Sequence, residues 1–395
     1  MIGFEEACDI ILSRARPLSA EMVDLAHVHG RVLAQSVTAA VEYPPADVSA
    51  MDGYAVADAD LATLPARLLV DGKVFPGASN ETPLKVGSCR RIFTGGFVPA
   101  GADRVVMQEN VETDGDFAIV SEFSPGSRNI RKQGFDFRRG DTLLRANIRL
   151  DHRAVVAAAG GDVSQFSCWR RPRLAVLATG DELTEPGTAS TTPDTIPDSV
   201  SFGVAALAEH YGASIVSRCS LRDDLPQMER AAGKASNTAD VVVVTGGASV
   251  GERDFAKMMF EPHGLELFFS KVAMKPGKPV WFGRVGNALV IGLPGNPVSA
   301  MVTARLLLAP LLLGLGGSDP QEALDSIECE LNHDLSSSGE RDVFHRAKLA
   351  HDRRVDIISS QDSAAQRALV DADLLLRAPA GSSFAKGEKI QAINF

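Results

Sequence analysis

Residues Asp240 to Asp254 read DVVVVTGGASVGERD, and this stretch decides the fold. Four consecutive valines leave neither face of a strand polar, so the strand must be covered on both sides. That is the signature of a parallel sheet inside an α/β domain. Leu174 to Ala178 (LAVLA) and Leu289 to Leu293 (LVIGL) have the same texture, and Ser214 to Cys219 reads as a further strand. Phe202 to His210 and Asp224 to Lys234 lie between them and are expected to be helices, the second with Asp224 as its N-cap. Together they predict an α/β unit over 171–316.

Moving outward, the texture changes on both sides. Arg170-Arg171-Pro172-Arg173 is a polar, proline-bearing boundary. Before it, short β-like runs (Arg67–Val70, Cys89–Phe93, Arg104–Gln108, Phe117–Val120) alternate with Gly and Pro turns, flanked by helical stretches Phe4–Arg14 and Asp151–Ala159. After the glycine-rich Gly314 to Ser318 come five more short runs: Ser326–Leu331, Val343–Leu349, Val355–Ile358, Leu374–Ala378 and Lys389–Ile393. They fit a small β-barrel or sandwich. The expected fold class is therefore multidomain α/β plus β.

The chain has 395 residues and a net charge of −10, which argues against a duplex nucleic acid partner. A few lysines in a cleft can still hold a small anion. Five scattered cysteines, with no C-x-x-C pair, point to a reducing compartment without zinc knuckle or disulfide framework. Met1 to Glu6 shows no secretory signal, and the longest apolar run, Leu306 to Leu315, is interrupted by Pro310 and Gly314 and is too short to span a bilayer. A cytoplasmic protein without membrane attachment is expected.

Ligands of open parallel sheets sit beyond the carboxyl ends of the strands. After LAVLA comes Thr179-Gly180-Asp181-Glu182-Leu183, where Gly180 permits a tight turn. Asp181, Glu182 and Asp254 follow strand ends and suit a hard cation such as Mg²⁺ beside phosphates. After DVVVVT, the glycines Gly246, Gly247 and Gly251 let backbone N–H groups approach a phosphate or a planar ring. In Met274-Lys275-Pro276-Gly277-Lys278-Pro279 two lysines are presented by a stiff loop, a fork suited to a tetrahedral dianion. In Pro294-Gly295-Asn296-Pro297-Val298-Ser299, Asn296 is a good N-cap and Pro297 a good first helical residue. That helix is expected to run toward Pro310, its N-terminus forming an anion site with Ser299 in the first turn. Asp223 and Asp224 read as helix caps. Arg128, Arg131, Lys132, Arg138 and Arg139, interleaved with Asp136 and Asp141, read as a solvated face. No catalytic triad or histidine metal pattern is visible.

Taken together, these residues resemble the molybdopterin molybdenumtransferase family, which includes the C-terminal domain of gephyrin. Further marks are Ser49-Ala50-Met51-Asp52-Gly53-Tyr54-Ala55, Thr94-Gly95-Gly96, Pro99 to Asp103, Gln108-Glu109 and Asn129-Ile130-Arg131 with Gly134. The resemblance covers nearly the whole chain. It implies an elongated linker domain from 1–25, 40–48 and 140–170, and an inserted β-domain from 26–39 and 49–139. It also implies an α/β molybdopterin-binding domain over 171–316, similar to the pterin adenylyltransferases, and a C-terminal β-barrel over 317–395. The implied protein is a homodimer with its active cleft at the subunit boundary. The implied reaction converts adenylyl-molybdopterin and molybdate to molybdenum cofactor and AMP, with Mg²⁺ or a similar divalent cation.

By the same resemblance, Gly180, Asp181, Glu182, Asp198, Ser199, Gly246, Gly247, Ser249 and Gly251 would contact substrate, as would Pro294, Gly295, Asn296, Pro297 and Ser299. Asp181, Glu182 and Asp254 would hold the metal. Lys275, Lys278, Ser299 and Arg346 would receive molybdate, while Asp52, Thr94 and Asp136 would reach the cleft from the N-terminal half. The pterin adenylyltransferase and downstream cofactor-transfer proteins would be its partners. The chain departs from the family at Val200, where asparagine is common, at Phe135, at Ala347, and across Ser359 to Asp373. Two other readings stay open: a catalytically weakened paralogue acting as a molybdopterin-binding or scaffold protein, and the pterin adenylyltransferase itself.

Overall fold

A computed structural model describes residues 1–78, 82–246, 255–337 and 339–395. Gly247, Ser249, Gly251 and Asp254 of the glycine loop lie outside the described residues.

The valine run forms one of the central strands of a six-stranded sheet. Its strands are β1 (Arg173–Thr179), β2 (Ser214–Leu221), β3 (Val241–Thr245), β4 (Glu266–Phe269), β5 (Trp281–Val285) and β6 (Ala288–Leu293), in the order β2-β1-β3-β6-β5-β4. Side chains alternate between two cores, as the period of two requires. Leu174, Val176, Val241, Val243 and Ile291 face the helices Phe4–Arg14, Val200–His210 and Pro297–Thr303. Ala175, Leu177, Val242, Val244 and Val290 face Leu225–Thr238. Each of these fully buried valines contributes roughly 1.5–3 kcal/mol of transfer free energy, which sets the register firmly.

The sheet is mixed rather than wholly parallel. β2, β1, β3 and β6 run parallel, but β5 is antiparallel to both of its neighbours, β6 and β4. The cause is local: Val285 pairs with Ala288 across a two-residue Gly286-Asn287 turn, with Gly286 at φ +56°, and such a turn reverses the chain at once.

The helix after Asn296 does not end at Pro310 but continues to Leu315. A π-helical segment, Ala304–Leu308, precedes Pro310, where proline has no N–H for the Leu306 carbonyl and would collide with it. Gly314 does not end the helix either. A Cβ there would lie 2.5 Å from the Ala15 carbonyl oxygen, so this glycine lets the N-terminal segment pack close. The helix Pro297–Leu315 is long and apolar enough to cross a membrane, with a mean hydropathy of 1.9, yet 94% of that window is buried inside the molecule.

The C-terminal runs form a closed barrel, not a sandwich. Asp342–Leu349 pairs on one side with Arg354–Ile357 and on the other with Leu374–Ala378; Ser326–Leu331 and Lys389–Asn394 complete the ring. The barrel docks on both the α/β unit and the N-terminal helix. Met274 and Lys275 pair in parallel with Asp342 and Val343, and Phe4 packs edge-on to Phe344 at 4.7 Å between ring centroids.

In the N-terminal half a six-stranded sheet runs Arg104–Met107, Gly53–Val56, Ser88–Ile92, Ala66–Val74, Phe117–Val120, Val111–Asp114. A separate core joins Val28, Leu33 and Val37 to Leu144, Leu150 and Phe166. Residues 26–39 thus share a core with 140–170 rather than with the inserted β unit they were grouped with. The helix His152–Gly160 there is capped by Asp151, which accepts from the N–H groups of Arg153 and Ala154. Phe4–Arg14 buries its apolar face against the central sheet instead.

Candidate active site

The parallel strands end level with one another. Ala178 pairs with Thr245 and Thr245 with Leu293, so the loops beginning at Gly180, Gly246 and Pro294 emerge side by side. Between them lies a cleft of about 740 Å³. Gly180, Glu182, Asp198, Ser199 and Gly246 line it, together with Pro294, Gly295, Asn296 and Pro297. These nine were expected there from sequence.

Close packing fixes the glycines. Gly246 stands at φ +87°, and a Cβ on it would collide with the Thr179 carbonyl oxygen. Gly180 stands at φ +148° with the Glu182 carboxylate folded over it, 2.6 Å from where a Cβ would sit. Asp181 does not line the cleft; its Oδ1 accepts from the Asp223 N–H at 3.1 Å. Asp223, a helix-cap candidate by sequence, borders the cleft, and Asp224 caps Leu225–Thr238 by accepting from Gln227 N–H. The rule for strand ends would have found Asp223, which follows β2.

Two expected ligand residues are committed elsewhere. Asp198, 2% exposed, accepts from the Ser201 N–H at 3.1 Å and from the hydroxyls of Ser201 at 2.5 Å and Ser220 at 3.2 Å. It holds the start of Val200–His210, and its carboxylate oxygens have little left for a ligand. Asn296 occupies the N-cap position without a capping bond; its Nδ2 donates to Ser363 Oγ at 3.2 Å. The barrel takes part of the helix terminus as well, since the Val298 N–H donates to the Ser363 carbonyl at 3.1 Å. Ala364 and Gln366 then form a wall of the cleft. Nothing in their composition announces that role, which depends on how the barrel docks.

Lys275 and Lys278 do share a pocket, but not the main cleft. They line a second cavity of about 380 Å³, bounded by barrel residues that include Arg341 and His345, while Pro279 of the same loop lines the main cleft. Burial, reinforced by the charges of Lys275 and Arg346, pushes the His345 pKa below its ordinary value and favours the neutral imidazole. Ser299 is buried within the helix. Arg346 is wholly buried; its Nη2 donates to the carbonyls of Ser360 at 2.7 Å and Asp362 at 3.2 Å. Its Nε and Nη1 find no acceptor among the described residues, and burial lowers its pKa. Gln361 fixes the backbone of Arg346, accepting from its N–H at 3.0 Å and donating to its carbonyl at 2.9 Å.

Asp52 and Thr94 form a unit on the N-terminal half: Asp52 Oδ1 accepts from both the N–H and the hydroxyl of Thr94 at 2.8 Å. Those bonds hold the Asp52 carboxyl below the usual carboxylate range. Asp136 sits apart on an exposed turn, and none of these three lines either cavity.

Residues 2–161 match the family described as the MoeA N-terminal region (domain I and II), and 175–314 match the one described as a probable molybdopterin binding domain. A molybdopterin molybdenumtransferase from Haemophilus influenzae is 38% identical over 302 residues, covering 76% of this chain and 74% of that protein. The chain belongs to the molybdopterin molybdenumtransferase family, enzymes of molybdenum cofactor biosynthesis. A Synechococcus elongatus member is 30% identical over 97% of both chains, and a Dictyostelium discoideum gephyrin is 27% identical over all of this chain and 62% of its own length. The fold matches a molybdopterin biosynthesis MoeA protein from Pyrococcus horikoshii with a TM-score of 0.84, at 28% identity, over 100% of this chain and 99% of that one. A multidomain α/β fold with a closed barrel is thus common to both, and the transferase reading drawn from the motifs stands.

Proposed function

We propose that the main cleft holds adenylyl-molybdopterin, that molybdate enters through the lysine pocket, and that the two combine with release of AMP in an Mg²⁺-assisted reaction. One observation carries this reading: the loop Lys275–Pro279 is common to both cavities, with its lysines lining one and Pro279 the other. Molybdate is a dianion and must approach a dithiolate next to a pyrophosphate. At ~4 Å and an effective dielectric of ~20, each like-charged pair costs about 4 kcal/mol, so fixed cations are needed to offset it. No protein nucleophile is required: the dithiolene sulfurs replace molybdate oxygens, which leave as water on taking up protons, and a water molecule attacks the pyrophosphate to release AMP. Positioning and charge neutralisation carry the catalysis.

Gly180, Gly246 and the Pro294–Pro297 turn would admit the nucleotide and pterin closely, and Gly247, Ser249 and Gly251 would also contact substrate. Ser299 and Arg346 would serve molybdate alongside the lysines. Asp181 and Glu182 suit Mg²⁺, which often takes only one or two carboxylates and completes its shell with phosphate oxygens and water. Glu182 lines the cleft, and Asp254 would add a further carboxylate. When bound, the ion would neutralise phosphate charge.

Asp52, Thr94 and Asp136 would act on the cleft of a partner subunit in a homodimer, since in their own chain they line neither cavity. The division into linker, inserted β, α/β and barrel units belongs to the same reading, as does the kinship of the α/β unit with pterin adenylyltransferases. So do a cytoplasmic setting and hand-over from an adenylyltransferase to cofactor-transfer proteins. Lys275→Ala or Lys278→Ala should weaken molybdate binding about tenfold while adenylyl-molybdopterin affinity stays within about twofold, as measured by calorimetry. Equal losses for both ligands would overturn the reading.

A further inference from the structure

We propose that Arg341, on the barrel, is the third cation of the lysine pocket and determines how tightly the oxyanion is captured, with Glu340 opposing it. The inference rests on reading that pocket as the way in for molybdate.

Position comes first. Met274 pairs with Asp342 and Lys275 with Val343 in a parallel register, so Arg341 immediately precedes the segment bound to the lysine loop. Its backbone is anchored on both sides. The Asp342 carboxylate is held by Arg377 at 2.6 Å and by the Ala380 N–H at 3.2 Å. Ser337 donates its hydroxyl to the Arg341 carbonyl at 3.3 Å, and the Ser337 N–H donates to the Ser382 carbonyl at 2.9 Å. The main chain is therefore fixed next to the pocket.

Charge comes second. Arg90, Arg104, Arg170 and Arg377 each meet an aspartate within 3 Å. Arg341, Lys275 and Lys278 meet no carboxylate among the described residues, yet they line one cavity of about 380 Å³, whose one carboxylate-bearing lining residue is Glu340. Three cationic side chains against one carboxylate, on a chain of net charge −10, repel one another unless an anion joins them. The donors also suit one class of guest. Two ammonium groups act as point charges, while the planar guanidinium spans two oxygens of a tetrahedral oxyanion and the Ser336 hydroxyl can add a further bond. His345 adds a ring without a charge, because burial and its basic neighbours favour the neutral form.

Molybdate binding to the full-length protein without pterin tests this, by calorimetry at low salt. Arg341→Gln should weaken binding about five- to tenfold, Arg341→Lys should recover part of the loss, and Glu340→Gln should tighten binding about two- to threefold. Adenylyl-molybdopterin binding should be unchanged in all three. If Arg341→Gln binds molybdate as the wild type does while Lys278→Ala does not, the lysine reading stands and Arg341 has no such role. If Lys278→Ala is also without effect, or the wild type binds no molybdate, both readings fall. Equal loss of both ligands would make Arg341 structural and overturn the proposal. Should Arg341→Gln fail to fold, the sign of the Glu340→Gln change decides.

Discussion

At Gly246 a methyl group would run into the Thr179 carbonyl oxygen, and the backbone is already at φ +87°. Gly246→Ala is expected to cost about 2–4 kcal/mol and to abolish activity, since the collision lies in the floor of the cleft. Urea unfolding would measure the first effect, and a stability within about 0.5 kcal/mol of wild type would contradict it. At Asp52 the prediction concerns titration. Two bonds from Thr94 lower the carboxyl pKa, so the stabilisation they give is present above the unfolded value of 3.8 and is lost as pH falls through the lower folded value. Thr94→Val removes the hydroxyl bond. The midpoint of the Asp52 carboxyl signal in an NMR titration should then rise toward 3.8, and an unmoved midpoint would show that Thr94 does not set it. The thiols are inert by comparison: burial pushes Cys8 and Cys89 up to about 12.

Two adjacent aspartates show how element position separates stability from chemistry. Asp224 caps Leu225–Thr238, so Asp224→Ala should lower stability by about 1 kcal/mol and leave turnover of the folded enzyme intact. Asp223 borders the cleft at the end of β2, so Asp223→Asn should reduce activity at nearly constant melting temperature. Reversed outcomes would mean the two roles have been exchanged. The pair also marks where sequence reading loses resolution. Capping and strand-end geometry ask for the same residue type, and only the docked backbone says which aspartate serves which. Buried runs such as Val241–Thr245 were legible because nothing but two-sided burial accommodates them. The reversed β5 and its edge partner β4 were not, because Glu266–Phe269 is only partly buried and the reversal rests on a single Gly-Asn turn.

For the molecule as a whole, the sequence placed the cleft loops well because each follows a strand of one sheet. It could not foresee that Lys275 and Lys278 open on a separate cavity, or that the barrel closes the helix terminus at Val298 through Ser363. Those facts depend on the docking of two units far apart in the chain. The same reasoning applies between subunits. If Asp52 serves a partner's cleft, mixing inactive Asp52→Ala and Lys278→Ala proteins should restore roughly a quarter of wild-type activity, because half the dimers are mixed and each has one intact site. No recovery after verified subunit exchange would confine each cleft to its own chain. The most direct test is AMP release from adenylyl-molybdopterin by the purified protein with Mg²⁺, with and without molybdate. The account predicts release that depends on molybdate and is lost in Lys278→Ala; equal release without molybdate, or none from folded protein at millimolar molybdate, would contradict it.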